Sequence, residues 1–123
     1  MPSPFRLQTD KGDNKPTRYY SSRQEKQIAK AVGGKTVKNS GATLFDKGDV
    51  TSDNWLFEAK TKVKESDSIT VKKEWFDKNN EERIAMHKQY SAVVISFGDG
   101  KNYYCIDEKT FTLMQEALSE LEE

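Results

Sequence analysis

The chain alternates helical and strand-like segments in an order that predicts an α/β fold, with a mixed five-stranded sheet flanked by helices. The segments follow one another as helix, three strands, helix, two strands and helix. The most apolar run, residues 91–97, is short and rich in β-branched side chains, which is typical of a strand buried on both faces. A length of 123 residues fits a single domain.

The first 20 residues hold all three prolines and show no periodic apolar pattern. We therefore predict a flexible N-terminal arm over residues 1–20 and a single domain over residues 21–123. The arm closes on Arg18, Tyr19 and Tyr20. We expect the tyrosines to pack against the first helix, and the alternatives are that the arm reaches across a dimer or stacks on unpaired bases.

Residues 21–32 have the pattern of a helix with a short apolar face. Ser22, followed three residues later by Glu25, forms a capping-box pattern, and Gly33-Gly34 marks the end of the helix. The capping box is a complete structural explanation for Glu25, so this residue by itself gives no indication of chemistry.

A strand and a β-hairpin are predicted after this helix. The strand covers residues 35–44, and Ser40-Gly41 interrupts it. The hairpin has strands over residues 48–51 and 55–61, joined by a turn over residues 52–54, where Asp and Asn favour turn geometry.

The hairpin carries the most informative charged residues. Alternation along its second strand puts Glu58 and Lys60 on one face, and Asp49 on the first strand is expected beside Glu58. Two carboxylates suit Mg²⁺, which takes one or two of them together with phosphate oxygens, and a nearby lysine orients or deprotonates a water. The set predicts metal-assisted phosphodiester hydrolysis. The alternative is a solvated surface hairpin, because 33% of the residues are charged.

A second helix is predicted near residues 71–89, with Ser68 or Thr70 as its cap. Asn79-Asn80 weakens its middle, where we expect either a kink or a break into two short helices. His87, the only histidine, is expected as a polar surface residue near the helix end.

The last elements are a buried strand, a hairpin and a helix. Residues 91–97 are expected as the central strand, and residues 102–107 pair with it. Asp107 then caps a final helix over residues 108–121. The apolar stripe of that helix consists of Phe111, Leu113, Met114, Ala117, Leu118 and Leu121.

The charges balance overall but are unevenly distributed. The net charge is zero, with 20 basic and 20 acidic residues. Residues 15–38 hold seven cations and one acid, whereas residues 99–123 hold two cations and seven acids. A basic N-terminal half would bind a phosphate backbone while the acidic C-terminal helix faces away. The alternative is that the asymmetry serves only solubility.

Cys105 is the only cysteine, so no disulfide forms within the chain. Its apolar neighbours predict a buried structural thiol. No apolar run is long enough to span a membrane, and the N-terminus has no signal-peptide pattern. We therefore expect a soluble, cytoplasmic protein without a membrane partner.

Together these features resemble the PD-(D/E)xK nuclease superfamily and, within it, the archaeal and phage-type Holliday junction resolvases. The resemblance covers the chain from about residue 18 to its end. After the acids, the matching elements are a helix, an apolar strand and a hairpin that leads to a C-terminal helix. One position departs from the superfamily signature, because Gly48 stands where the signature has proline. The matching motifs in chain order are Ser22-Arg23-Gln24-Glu25, Asn39-Ser40-Gly41, Asp49, Glu58-Ala59-Lys60 and the helix start at residues 69–75.

The resemblance implies a restriction-endonuclease-like fold and a role for each acid. Asp49 and Glu58 would bind Mg²⁺, for which Mn²⁺ would substitute, and the carbonyl of Ala59 would be a third ligand. Lys60 would position the attacking water and stabilise charge on the phosphate.

Further roles follow from the same resemblance. Glu25 would complete or orient the metal site from its helix. Ser40 would contact the scissile phosphate or a water on the metal. Basic residues close to the site along the chain would contact DNA, and these are Arg18, Arg23, Lys35, Lys38, Lys62, Lys64, Lys72 and Lys73.

The expected function is that of a Mg²⁺-dependent, structure-selective DNA endonuclease, a homodimeric resolvase that hydrolyses phosphodiester bonds at four-way junctions. It would act in the cytoplasm, or in the host cytoplasm if a phage encodes it. Two alternatives stay open: a restriction-like or flap-cutting nuclease of the same superfamily, and a non-catalytic DNA-binding protein. The chain shows no separate sequence-recognition segment, which favours reading of DNA shape, and its intact acid–lysine set favours an enzyme.

Overall fold

A computed structural model describes residues 17–37 and 49–122 of the chain. These residues confirm an α/β fold with a mixed five-stranded sheet flanked by helices. Within them, no helix has the length and apolar character needed to cross a membrane. The elements in chain order are α1 (Thr17–Val32), β1 (Lys35–Thr36), β2 (Asp49–Thr51), β3 (Trp55–Thr61), α2 (Lys73–Ala85), β4 (Tyr90–Ser96), β5 (Tyr103–Cys105) and α3 (Glu108–Glu122).

The five strands lie in the order β1-β2-β3-β4-β5. β3 and β4 run parallel, and every other neighbouring pair is antiparallel. A parallel pair requires a crossover connection, which contains α2. In the strand order above, β3 is the middle strand. β4, predicted to be the central buried strand, is largely buried but lies one place closer to the β5 edge.

One face of the sheet packs against α1 to form the apolar core. The pleat of a strand sends alternate side chains to opposite faces, so every second residue of β3 points toward α1. The side chains between them, including Glu58 and Lys60, point to the other face. The buried members of the core are Ile28, Val50, Phe57, Ala59, Ala92 and Val94.

α2 covers the opposite face with a largely polar surface. Its buried residues are Asn79 and Glu82, which lie about one helical turn apart. The side-chain amide of Asn79 donates to the carbonyl of Ala92, with 3.1 Å between Nδ2 and O. The apolar side chains that the sheet buries on this face are Leu56, Val93 and Ile95.

α1 begins at Thr17, inside the predicted arm, and runs without a break through Ser22. Ser22 is therefore inside the helix, and the predicted capping box with Glu25 is wrong. The end is as predicted, because Gly33 follows the helix at φ +68°, a left-handed conformation that suits glycine. The remainder of the predicted arm, residues 1–16, lies outside the described residues.

The predicted cap of the second helix is wrong. α2 begins at Lys73, and Lys72 occupies the N-cap position in an extended conformation without a side-chain cap. Neither Ser68 nor Thr70 is adjacent to the helix. Ser68 instead forms a local turn, in which its amide donates to Ser66 Oγ at 3.2 Å.

α2 is a single continuous helix through Asn79-Asn80, so the predicted kink or break is wrong. It ends at Ala85 rather than near Gln89. His87 has a positive φ of 61°, which takes the chain out of the helical conformation. The side chain of His87 is exposed, as predicted.

The edge strands differ in part from expectation. β1 begins at Lys35 as predicted but ends at Thr36, and residues 38–48 lie outside the described residues. β5 pairs with β4 as the predicted hairpin. Cys105 is half-buried rather than buried, and the desolvation that accompanies this burial raises the pKa of its thiol.

α3 matches the predicted final helix within one residue. Asp107 caps it as predicted, since its Oδ1 accepts a hydrogen bond from the backbone amide of Thr110 at 2.8 Å. An amphipathic helix normally turns its apolar stripe toward a core. α3 buries no side chain within the described part of the chain, so its stripe is exposed.

Candidate functional site

The β2–β3 hairpin places two acids side by side. Asp49 and Glu58 are directly opposed cross-strand partners, which confirms the expectation that Asp49 lies beside Glu58. Asp49 is 0% exposed and Glu58 is 1% exposed. Carboxylates at directly opposed positions repel each other when both are ionised, and burial strengthens that repulsion. The arrangement is therefore costly for a hairpin that serves structure alone.

Lys60 extends this pair on the same face of β3. Its Nζ is 3.2 Å from Oε2 of Glu58, and its ammonium lies 5.0 Å from the centroid of the Trp75 ring on α2. The side chain of Lys60 is 28% exposed, against 2% for that of Glu58. The ammonium thus lies between a buried acid and solvent, where it offsets part of the acid's charge and remains accessible to a ligand.

The loop before β4 holds the turn of the hairpin. The ammonium of Lys88 donates to the carbonyls of Ser52 and Asp53, with Nζ–O distances of 2.9 and 3.2 Å. The backbone amides of Gln89 and Tyr90 both donate to the carbonyl of Asn54, at 3.0 and 2.9 Å. These bonds fix the turn to the rest of the sheet and so maintain the register that opposes the two acids.

Gln24 ties α1 to the backbone of the site lysine, a contact that sequence reasoning missed. Its side chain is 3% exposed. Its Nε2 lies 3.1 Å from the carbonyl of Lys60, 3.3 Å from that of Val94 and 3.1 Å from Oδ1 of Asn102. A glutamine gives no chemical signal in a polar helix. Its spacing of four residues from the buried Ile28 places it on the face that packs on the sheet, and that spacing could have identified it.

A cavity of about 370 Å³ opens beside Glu58 and Lys60 under α2. More carboxylates than ammonium groups line it, and such an excess favours a cation over a free anion. The α2 residues that line it are Glu74, Trp75, Asp77, Lys78 and Glu81.

Among the described residues, Glu25 does not lie on the same face of the sheet as the acid pair. Glu25 is half-buried on α1, which packs on the face of the sheet opposite to the two acids. In residues 17–37 and 49–122, no three Asp, Glu, His or Cys side chains form a group suited to a metal ion. Ser40 lies outside the described residues. The side chain of Ala59 belongs to the α1-side core, and its backbone lies between Glu58 and Lys60.

Two of the predicted DNA-binding residues come together. Arg23 and Lys62 are exposed, and both line a cavity of about 280 Å³ at the ends of β3 and β4. The carboxyl ends of parallel strands are common places for ligands in α/β proteins. Glu65 and Asp99 also line this cavity, so its charges balance, and Arg23 and Lys62 are the groups in it that would contact a backbone phosphate.

The other predicted DNA-binding residues are dispersed. Lys73 forms an exposed ion pair with Asp77, in which Nζ and Oδ2 are 3.1 Å apart. Lys38 and the side chain of Arg18 lie outside the described part of the structure. The other exposed lysines of this set are Lys35, Lys64 and Lys72.

The oxygens of Asp49 and Glu58 fit a hard divalent cation such as Mg²⁺. Mg²⁺ keeps several waters and needs only one or two protein carboxylates in addition to phosphate oxygens. A divalent cation held by these carboxylates would also reduce the repulsion between them. The donor chemistry therefore agrees with the ion that the sequence predicts.

No protein-family model, curated protein or solved structure matches this chain. The resemblance to nucleases consequently rests on the residues and on their geometry. Its most specific geometric element is the opposed placement of Asp49 and Glu58.

Proposed function

We propose that this protein is a Mg²⁺-dependent, structure-selective DNA endonuclease with a restriction-endonuclease-like fold, a member of the PD-(D/E)xK superfamily. One observation carries the proposal: the buried cross-strand acids Asp49 and Glu58, with Lys60 3.2 Å from Glu58. Two carboxylates buried side by side repel each other when both are ionised, and a bound divalent cation would relieve that repulsion. Metal-assisted phosphodiester hydrolysis is a use that needs this set.

Each residue of the site has a separate task in this proposal. Asp49 and Glu58 would hold the cation, which supplies Lewis-acid polarisation of the phosphate and activation of water. Lys60 would donate a hydrogen bond to a phosphoryl oxygen as negative charge develops there. Gln24 would hold the backbone of Lys60 in place through its 3.1 Å contact. The roles of Glu25, Ser40 and the Ala59 carbonyl stay predictions from the resemblance.

The proposed substrate is a four-way DNA junction in the cytoplasm. A homodimer would present two sites to opposing strands. The cavity lined by Arg23 and Lys62 supports binding of a DNA backbone, because arginine and lysine are the usual ligands of phosphate. Contacts of this kind position DNA without reading its sequence.

A comparison of DNA substrates tests the function. Labelled four-way junctions, linear duplex, flap and single-stranded DNA are incubated with the protein in the presence and absence of Mg²⁺. Paired symmetric nicks in the junction alone are expected. Equal cutting of linear duplex would indicate a different nuclease of the superfamily, and binding without cleavage in Mg²⁺ or Mn²⁺ would indicate a non-catalytic DNA-binding protein.

Substitutions in the same assay test the site. Asp49→Asn and Lys60→Ala should each lower the cleavage rate by about 10²-fold or more, the loss typical of a group that stabilises the transition state. Binding of the junction should persist in both variants. Lys101→Ala, which alters an exposed lysine in the β4–β5 turn, is the control and should cut normally. Normal cleavage by the Asp49 and Lys60 variants would refute the assignment.

A further inference from the structure

α3 has an apolar stripe that the described residues leave uncovered. Phe111, Met114, Leu118 and Leu121 follow one another at spacings of three, four and three residues. This spacing places them on one side of the helix and is the pattern of helices that pack along a seam. Met114, the least exposed of the four, is 44% exposed, and Leu121 is 82% exposed.

An apolar groove on the α1 face of the sheet is also open in the described part of the protein. Its volume is about 440 Å³. Met114 is the only residue of α3 among those that line it, so most of the stripe extends beyond the groove of its own chain. The lining residues from the body of the domain are Val32, Ser52, Trp55, Phe57, Ala92, Tyr104 and Ile106.

The charges beside the stripe and the groove are complementary. α3 carries four glutamates and one lysine. α1, whose Val32 lines the groove, carries exposed Lys26 and Lys30. Two α3 helices packed on each other would bring eight glutamates together, which is unfavourable. Electrostatics therefore favour α3 against α1 over α3 against α3.

The exposed apolar surface is concentrated enough for an interface. Of the ten exposed large apolar side chains in the described residues, seven lie between Tyr103 and Leu121. Monomeric proteins rarely expose apolar patches of more than a few hundred Å². A stable interface buries about 800 Å² on each partner, and seven large side chains supply surface of that order.

We propose that a second copy of this chain covers this surface through reciprocal exchange of α3. In a two-fold symmetric pair, α3 of each copy lies in the groove of the other, with its stripe on Trp55, Phe57 and Tyr104 and its glutamates near α1. This isologous arrangement covers both stripes and both grooves at once. The acid–lysine clusters lie on the opposite face of each sheet and remain free for substrate. The inference requires no nuclease activity and can be tested without DNA.

Sedimentation equilibrium tests the association. The 14.1 kDa chain should sediment as a dimer, and Leu118→Glu should be a monomer, with association weakened at least 100-fold. Leu118 is exposed in the single chain, so the variant should retain its far-UV circular dichroism spectrum. Ser119→Glu, on another side of α3, is the control and should remain dimeric. A wild-type monomer up to about 100 µM would overturn the inference.

Disulfide crosslinking tests the exchange itself. In a Cys105→Ser background, a Val32→Cys chain is mixed with a Leu118→Cys chain and mildly oxidised. A disulfide between the two different chains is expected. Predominant Leu118→Cys homodimers would show that two α3 helices pack together, and an intrachain disulfide in a chain carrying both substitutions would show that α3 folds onto its own groove. Either of these results would overturn the exchange.

Discussion

Two regions of this molecule reverse the usual placement of polar and apolar groups. On the β2–β3 hairpin, the acids Asp49 and Glu58 are buried. On α3, large apolar side chains such as Leu118 and Leu121 are exposed. Buried acids reduce the stability of an isolated chain, and exposed leucines contribute little to it. The charged region is the basis of the proposed chemistry, and the apolar region is the basis of the proposed association between chains.

The two regions also differ in how firmly they are held. The hairpin turn is bonded to Lys88, Gln89 and Tyr90, and the backbone of Lys60 is bonded to Gln24. α3 is capped locally by Asp107, and none of its described residues is buried. A catalytic site requires fixed geometry, because small displacements of reacting groups cost rate. A helix that docks on a partner needs no such fixation before docking.

Truncation of one leucine in each region should give the largest contrast. Leu56→Ala should cost about 3 kcal/mol in free energy of unfolding, since Leu56 is 0% exposed beside the acid pair and its loss leaves a cavity. Leu118→Ala should cost less than about 0.5 kcal/mol in the dissociated chain, because Leu118 is 59% exposed. Urea denaturation at low protein concentration measures both. Equal losses would mean that α3 packs on its own chain.

Replacement of two paired lysines should give the next largest difference. Lys60 and Lys73 lie at similar distances from their carboxylates, 3.2 and 3.1 Å, but only Lys60 pairs with a buried acid. Lys60→Met should cost about 2 kcal/mol, a buried-pair value reduced for the partial exposure of Lys60. Lys73→Met should cost about 0.3 kcal/mol, as for an exposed pair one helical turn apart. The same urea titration measures both, and a cost at Lys60 as small as that at Lys73 would contradict the burial argument.

Neutralising one buried acid should stabilise the metal-free fold. Asp49→Asn removes a like charge beside Glu58 and leaves the pair of Glu58 with Lys60 intact, so a gain of about 1 kcal/mol is expected. Chemical denaturation in the presence of a chelator measures the change. Asp77→Asn, at an exposed position, is the control and should change little. A loss of stability in Asp49→Asn would indicate a structural role for this acid.

The cap of α3 should give the smallest effect and a defined pH dependence. The pKa of Asp107 is lowered mainly by a hydrogen bond from the Thr110 hydroxyl and, to a smaller extent, by one from the Thr110 backbone amide. A lowered pKa adds stability that is present above the unfolded pKa and is lost as pH falls through the folded pKa. The start of α3 should therefore lose helicity only below about pH 4.

Substitution of the cap tests this assignment by circular dichroism between neutral and acidic pH. Asp107→Ala should lower helix stability at neutral pH by about 0.5–1 kcal/mol and remove the acid transition of α3. Asp99→Ala alters the turn before β5 and should leave helicity unchanged. Persistence of the acid transition in Asp107→Ala would assign it to another carboxyl group.

The sequence identified the hairpin and the start of α3 because their signals are local. Turn residues at positions 52–54 and alternation along β3 predict a hairpin with Asp49 beside Glu58, and the structure pairs these two residues directly. The sequence also predicted the Asp107 cap correctly, because its hydrogen-bond partner Thr110 is only three residues away.

Features that depend on contacts distant in sequence were missed. Ser22 and Glu25 have the pattern of a cap, but the helix continues upstream to Thr17, which no local pattern indicates. The role of Gln24 depends on hydrogen bonds to the carbonyls of Lys60 and Val94, which lie 36 and 70 residues away along the chain. The exposure of α3 was also unpredicted, because periodicity identifies an apolar stripe but not its partner.

Binding of Mn²⁺, followed by electron paramagnetic resonance, tests the proposed metal site most directly. The wild-type protein should bind Mn²⁺, Mg²⁺ should displace it, and Asp49→Asn and Glu58→Gln should each weaken binding at least about tenfold, as loss of one carboxylate ligand predicts. Asp77→Asn removes an acid from the cavity beside Glu58 and Lys60 but leaves the buried pair intact, so this variant should bind Mn²⁺ like the wild type. Equal binding by all four proteins, or no binding by the wild type, would contradict the assignment of Asp49 and Glu58 as a metal site.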